Sequence, residues 1–129
     1  MNTYVIDAYA WVEYFNGSPL GELVQEIVED STNIIYTNIV TVAELASSYS
    51  RNRLSFEGEC KILKTLSRFH YIDENFAFEA GILHAKLRKD RKHIGLADTF
   101  VLLTARKHKA KVVTGDEDFR GLKEVIMIK

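Results

Sequence analysis

Apolar residues fall along this chain in two rhythms: short unbroken runs, and longer stretches in which they recur every three or four positions. Residues 3–7, Thr3-Tyr4-Val5-Ile6-Asp7, form a run of the first kind. An apolar centre of this length suits a strand buried on both faces of a parallel sheet, with Asp7 at its end. Ala8, Trp11, Val12 and Phe15 then follow at helical spacing until Asn16-Gly17-Ser18-Pro19 interrupts them. Ser18 is placed to cap a second helix with Pro19 at its first position, and Leu20, Leu23, Val24, Ile27 and Val28 give that helix one apolar face.

The same reading predicts a second strand over residues 33–37 and a helix opening at Thr41-Val42-Ala43-Glu44-Leu45, ending between Tyr49 and Asn52. Another helix is expected over residues 55–69, with Ile62, Leu63, Leu66 and Phe69 facing inward, and Tyr71-Ile72-Asp73 is a candidate short third strand. Phe76, Ala80, Leu83 and Leu87 mark a long helix that runs into the basic stretch 86–92, and Gly95 separates it from a helix over Leu96–His108. A short strand around Val112-Val113, at the head of the stretch Lys111–Phe119 that empties into an acidic loop, and a last strand over residues 125–128 close the chain. No repeat, linker or low-complexity tract interrupts this order.

Strands alternating with helices predict an α/β fold, a mostly parallel sheet covered on both faces in a three-layer sandwich. Crossovers in such a sheet are right-handed, and each helix returns antiparallel to the strands. Strand ends and first helical turns therefore meet at one rim, the carboxyl edge where open α/β sheets bind their ligands. Asp7 and Asp116 arrive there from strand ends, Glu44 and Asp98 from helix starts.

Each acid also has a structural explanation. Asp7 can cap the helix that follows it. Thr41-Val42-Ala43-Glu44 fits a capping box. Asp98 sits in a first turn, where the helix dipole favours a carboxylate. Asp116-Glu117-Asp118 reads as a solvated turn in which Asp118 caps a short helix. Their coincidence has no such explanation, because four carboxylates at one rim repel one another and raise their pKa values unless a cation lies among them. Oxygen donors without paired histidines or cysteines suit Mg²⁺ or Mn²⁺. His70, His84, His93 and His108 show no metal-ligand spacing. A water activated beside a metal-neutralised phosphate makes phosphodiester hydrolysis the natural reaction.

Composition narrows the setting. A chain of 129 residues is one domain, able to bury roughly two-thirds of its unfolded surface without disulfide or structural metal. Its single cysteine, Cys60, cannot form an internal bridge and favours a reducing, cytoplasmic location. No run approaches a membrane span, and the N-terminus has no signal-peptide pattern. The net charge of -1 is neutral towards nucleic acid, although carboxylates taken up by metal ions would leave the remainder mildly basic.

Val5-Ile6-Asp7, Thr41-Val42-Ala43-Glu44-Leu45, Leu96-Ala97-Asp98-Thr99-Phe100 and Val113-Thr114-Gly115-Asp116-Glu117-Asp118-Phe119 together resemble the motifs of the PIN-domain ribonucleases. Length and motif order are most similar to the VapC toxins of toxin-antitoxin pairs, over essentially the entire chain. The resemblance implies a Rossmann-like sheet of order 3-2-1-4-5 over residues 1–129, a homodimer, a small antitoxin partner and Mg²⁺- or Mn²⁺-dependent cleavage of RNA. Asp7, Glu44, Asp98 and Asp116 match the acidic quartet, and Asp118 a more variable fifth position. The chain departs from the common pattern at Ala8-Tyr9, where many members carry threonine and a small polar residue.

Within that resemblance Asp7, Asp98 and Asp116 are expected metal ligands, with Glu44 orienting the attacking water or binding a second ion. Arg88, Lys89, Arg91, Lys92 and His93, with the Thr99 and Thr114 hydroxyls, are candidate RNA contacts. The basic run has a second reading as a solvated helix end, and the threonines as partners of local backbone. Trp11, Tyr14 and Phe15 read as core or partner contacts, and Tyr49, Phe56 and Phe69 as a dimer or antitoxin surface. A housekeeping RNA-processing nuclease would share this site. A receiver-like or phosphatase-like domain would want an acidic pair or Asp-x-Asp after the first strand, where this chain has Ala8-Tyr9. A non-catalytic PIN-like binding module would have no need of the full quartet.

Overall fold

The computed structural model describes residues 2–129. Five strands, β1 (Thr3–Ile6), β2 (Ile34–Asn38), β3 (Arg68–His70), β4 (Lys111–Thr114) and β5 (Val125–Met127), form one sheet in the order β3-β2-β1-β4-β5. All four pairings are parallel. This is the expected order, with β1 and β4 central.

Alternation along the strands divides the core. Ile6 and Val113 join Trp11, Val24, Leu45 and Leu63 on one face, packed by α1 (Ala8–Asn16), α2 (Pro19–Val28), α3 (Ile39–Arg51) and α4 (Glu57–Leu66). Val5 and Val112 join Val101, Leu102 and Phe119 on the other, covered by α6 (Leu96–His108). Outside α6 lies α5 (Glu74–Leu87), which buries Phe76 and Ala80 against Leu103. Both faces of the central strands are thus dry, as their unbroken apolar sequences require. Among the described residues no helix is long and apolar enough to cross a membrane.

Local chemistry sets the boundaries. The Ser18 hydroxyl accepts a hydrogen bond from the Gly21 amide at 3.0 Å with Pro19 beginning α2, as predicted. The helix expected to open at Thr41 begins instead at Ile39, immediately after β2, because Asn38 caps it by accepting from the Val40 amide at 2.8 Å. The third strand lies at Arg68–His70, three residues before its expected place. α4 stops at Leu66, where the Ser67 hydroxyl donates to the Leu63 carbonyl at 2.7 Å. That stop moves Phe69 from the helix into the strand. Asp73, expected in a strand, caps α5 through the Phe76 amide at 2.8 Å.

Candidate active site

Asp7 stands between β1 and α1. Its amide donates to the Val113 carbonyl and its own carbonyl accepts from the Trp11 amide, both at 3.1 Å. It occupies the N-cap position, but its side chain makes no capping bond. Instead its Oδ2 accepts from the Thr114 hydroxyl of β4 at 2.8 Å, across 107 residues of chain. With 4% of its surface exposed, its carboxyl is pushed up to about 6. Burial is the main cause, opposed by the Thr114 bond and reinforced by the Asp98 and Asp116 carboxylates.

Glu44 is not the third residue of a capping box, since α3 starts earlier and places it in the second turn. It is half-buried and pushed up to about 7, first by burial, then by the charges of Asp7, Asp98 and Asp116. Neither structural explanation offered for these two acids therefore accounts for them. Asp98 does fulfil its explanation. Its Oδ2 accepts from the Gly95 amide at 2.8 Å in the first turn of α6, and burial, with Asp116 and Asp118, raises its pKa against that bond.

After β4 the chain turns at Asp116 into a 3-10 turn, Glu117–Phe119. Here Asp116 is the cap, accepting from the Asp118 amide at 2.9 Å, whereas the sequence had suggested Asp118. The Asp116 amide donates to the Thr114 hydroxyl at 3.0 Å. One hydroxyl thus donates to Asp7 and accepts from Asp116, joining two of the acids. Carboxylate oxygens of Asp98, Asp116 and Asp118 lie within 4.8 Å of one another. Asp118 belongs to this tight group, while Asp7 is turned towards Thr114 beside it. Glu117 points into solvent and pairs with Arg120 at 2.5 Å.

The donor set fits a hard divalent cation. It is all oxygen, without cysteine or histidine, and its mutual repulsion is what a cation would relieve. Asp98, Asp116 and Asp118 are placed to hold one, with Asp7 and Glu44 bordering it.

The candidate RNA contacts divide. Arg88, Lys89, Lys92 and His93 are exposed on the connection leading to α6. Arg91 is turned inward, donating to the carbonyls of Asp118 at 3.2 Å and Arg120 at 2.8 Å. Thr99 and Thr114 are fully buried, and the Thr99 hydroxyl donates to the Gly95 carbonyl at 3.0 Å. Both hydroxyls have partners within the protein, and that of Thr114 bonds Asp7 and the Asp116 amide.

Tyr9, a departure from the common family pattern, has a role in packing. Its ring lies against Gly115, where an added Cβ would come within 2.3 Å of it, so the glycine before Asp116 is a steric requirement. Fold pairing alone brings the histidines together. His70 Nδ1 and His108 Nε2 lie 3.0 Å apart, and burial lowers both from the ordinary imidazole value. His84 Nε2 lies 3.2 Å from the Ile94 carbonyl. Trp11 is fully buried, as its apolar spacing predicted.

A family model described as "PIN domain" matches residues 4–125. Comparison of the sequence with curated proteins returns no match. Among solved structures, a toxin-antitoxin complex from Klebsiella pneumoniae is similar at TM-score 0.72 and 19% identity, covering 98% of each chain. VapC20 of Mycobacterium tuberculosis, described as a sarcin-ricin loop cleaving toxin, is similar at TM-score 0.72 and 15% identity over 93% of this chain and 95% of that one. FitAcB from Neisseria gonorrhoeae gives TM-score 0.64 and 26% identity over 88% and 87%.

Proposed function

The chain belongs to the PIN-domain family, and from that premise we propose that it is a divalent-metal-dependent endoribonuclease acting as the toxin of a VapBC-type toxin-antitoxin pair. The observation that carries the reading is the convergence of Asp7, Glu44, Asp98, Asp116 and Asp118 at one sheet rim, with the pKa values of Asp7, Glu44 and Asp98 all raised. Carboxylates gathered at a ligand-binding sheet edge with raised pKa values are a mark of functional sites.

Asp98, Asp116 and Asp118 would hold Mg²⁺ or Mn²⁺, each acid anchored by its segment: a helix start, a cap and a 3-10 turn. Asp7 would join them as a ligand, directly or through water, its orientation set by Thr114. When bound, the ion supplies a more acidic water and neutralises charge on the scissile phosphate. Glu44, half-buried beside these acids, with its carboxyl raised in the metal-free protein first by burial, would orient the attacking water and take its proton. The exposed Arg88, Lys89, Lys92 and His93 would meet the RNA backbone on approach. We place this single nuclease domain, residues 1–129, in the cytoplasm as a homodimer held in check by a small antitoxin protein. The toxin role draws support from the likeness to chains of toxin-antitoxin complexes.

The test is cleavage of a single-stranded RNA. Activity should vanish in EDTA, return with Mg²⁺ or Mn²⁺, and fall at least about 10²-fold in Asp98→Asn, the loss typical of removing one preorganised electrostatic group. Undiminished cutting by Asp98→Asn would refute the reading.

A further inference from the structure

Arg91 belongs to a basic run that reads as an RNA contact or a solvated helix end, and its side chain is turned to backbone carbonyls of another segment. It lies on the connection from α5 to α6, where its amide donates to the Leu87 carbonyl at 2.9 Å. Its side chain leaves that connection and reaches the segment after β4. There Nη1 donates to the Asp118 carbonyl at 3.2 Å and the Arg120 carbonyl at 2.8 Å, 27 and 29 residues away. Nη2 lies 3.4 Å from the point a Cβ on Gly121 would occupy, so the guanidinium rests along the backbone of residues 118–121. Gly121 suits this backbone twice over, because its φ of +91° also disfavours a side chain.

The two segments it joins carry the three closest carboxylates. Asp98 lies seven positions beyond Arg91 and is pinned to Gly95 by its own side chain; Asp116 caps the 3-10 turn and Asp118 lies within it, and Arg91 grips the carbonyls of Asp118 and of Arg120 at the turn's end. Three carboxylates whose oxygens lie within 4.8 Å of one another repel, and this repulsion pushes the turn away from α6. Arg91 opposes that motion through backbone carbonyls, leaving every carboxylate oxygen free of it.

We propose that Arg91 is a positioning residue that sets divalent-cation affinity by clamping the Asp116–Asp118 turn against the start of α6. The inference rests on the reading of these acids as a cation site. Arginine suits this place better than lysine, because both bonds come from Nη1 while Nη2 rests beside Gly121, so the guanidinium plane fixes the donating nitrogen between the two carbonyls, which an ammonium on a flexible stem does not do.

The test measures Mn²⁺ dissociation constants, from the free-ion electron paramagnetic resonance signal, for the parent protein and for Arg91→Ala, Arg91→Lys, Lys89→Ala and Asp116→Asn. Backbone amide hydrogen exchange over residues 117–121 is followed without metal in the same proteins. Arg91→Ala should bind Mn²⁺ about tenfold more weakly or worse, the usual loss when a group orienting metal ligands is removed. Arg91→Lys should be weakened nearly as much, Lys89→Ala less than about twofold, and exchange at 117–121 should accelerate in both Arg91 variants but not in Lys89→Ala. If Arg91→Ala fails to fold, Arg91→Lys carries the same comparison.

Parent-like affinity in Arg91→Lys, with equal losses in Arg91→Ala and Lys89→Ala, would reduce the effect to net charge and overturn the clamp. So would a lowered melting temperature with an unaltered Mn²⁺ constant in the folded protein. If the parent and Asp116→Asn bound Mn²⁺ equally weakly, the cation site itself would be refuted, an outcome distinct from parent-like binding by the Arg91 variants.

Discussion

The two halves of the acidic rim are built differently. Asp7 and Glu44 are buried or half-buried and stand at about 6 and about 7, close to where a proton is exchanged at neutral pH. Asp98, Asp116 and Asp118 crowd within 4.8 Å on chain segments that backbone amides hold in place, Asp98 through Gly95 and Asp116 through Asp118. In the proposed reaction Glu44 handles the proton, while Asp98, Asp116 and Asp118 hold the cation with Asp7 beside them as a further ligand. Thr114 bridges the two halves, donating to Asp7 and accepting from the Asp116 amide. The lesson is that carboxylates of one rim acquire different burial and different hydrogen bonds from the segments that carry them.

The largest expected effect falls on the cation half. Asp116→Asn should lower RNA cleavage at least about 10²-fold, since it removes a ligand charge and disturbs the cap that shapes the turn. Asp118→Asn should cost less, about tenfold. Single-turnover rates in Mg²⁺ give the comparison, and the reverse ranking would mean that the loop's geometry is misread.

The bridge can be cut without touching a carboxylate. Thr114→Val removes a bond to a buried acid and should destabilise the fold by about 1–3 kcal/mol in urea unfolding. It should also raise the Asp7 pKa further, because the hydroxyl favours the anion. Thr114→Ser should recover most of both. Equal stability of Thr114→Val and the parent would remove Thr114 from the site's support.

The smallest effect concerns pH without metal. Asp7, Glu44 and Asp98 hold their protons more tightly folded than unfolded. Their favourable contribution is therefore fully present below their ordinary carboxyl values and is lost as pH rises through the folded values. In EDTA the protein should become less stable between about pH 4 and pH 7, and Mn²⁺ should reverse the trend because it binds the native state. Cation binding at pH 6 should also release protons measurably in a weak buffer. A metal-free protein that gained stability across this window would contradict the raised carboxyl values of Asp7, Glu44 and Asp98.

Much of this was legible in the sequence. The helix Leu96–His108 has its expected bounds, the sheet has the expected order, and the four acids come to one edge because strand ends and helix starts must. What was hidden depended on side-chain bonds that carry no periodicity. Asn38 displaced Thr41 as the cap of α3, and Ser67 ended α4 early enough to shift β3. Arg91, in a stretch that looked like a solvated cationic end, is spent on carbonyls 27 and 29 residues away. The His70 and His108 contact spans 38 residues. Such pairings exist only after the chain has folded, whereas apolar rhythm reflects burial that holds for a whole element.

Trp11 offers a practical consequence. It is the chain's single tryptophan, fully buried, with its indole Nε1 donating to the Thr37 hydroxyl at 3.1 Å. It also stands one helical turn after Asp7, whose carbonyl its amide bonds. Intrinsic fluorescence therefore has one origin, in the dry layer directly beneath the acidic rim. A red shift would report water entering that layer, making Trp11 a built-in optical gauge of whether a rim variant has lost its chemistry or its fold.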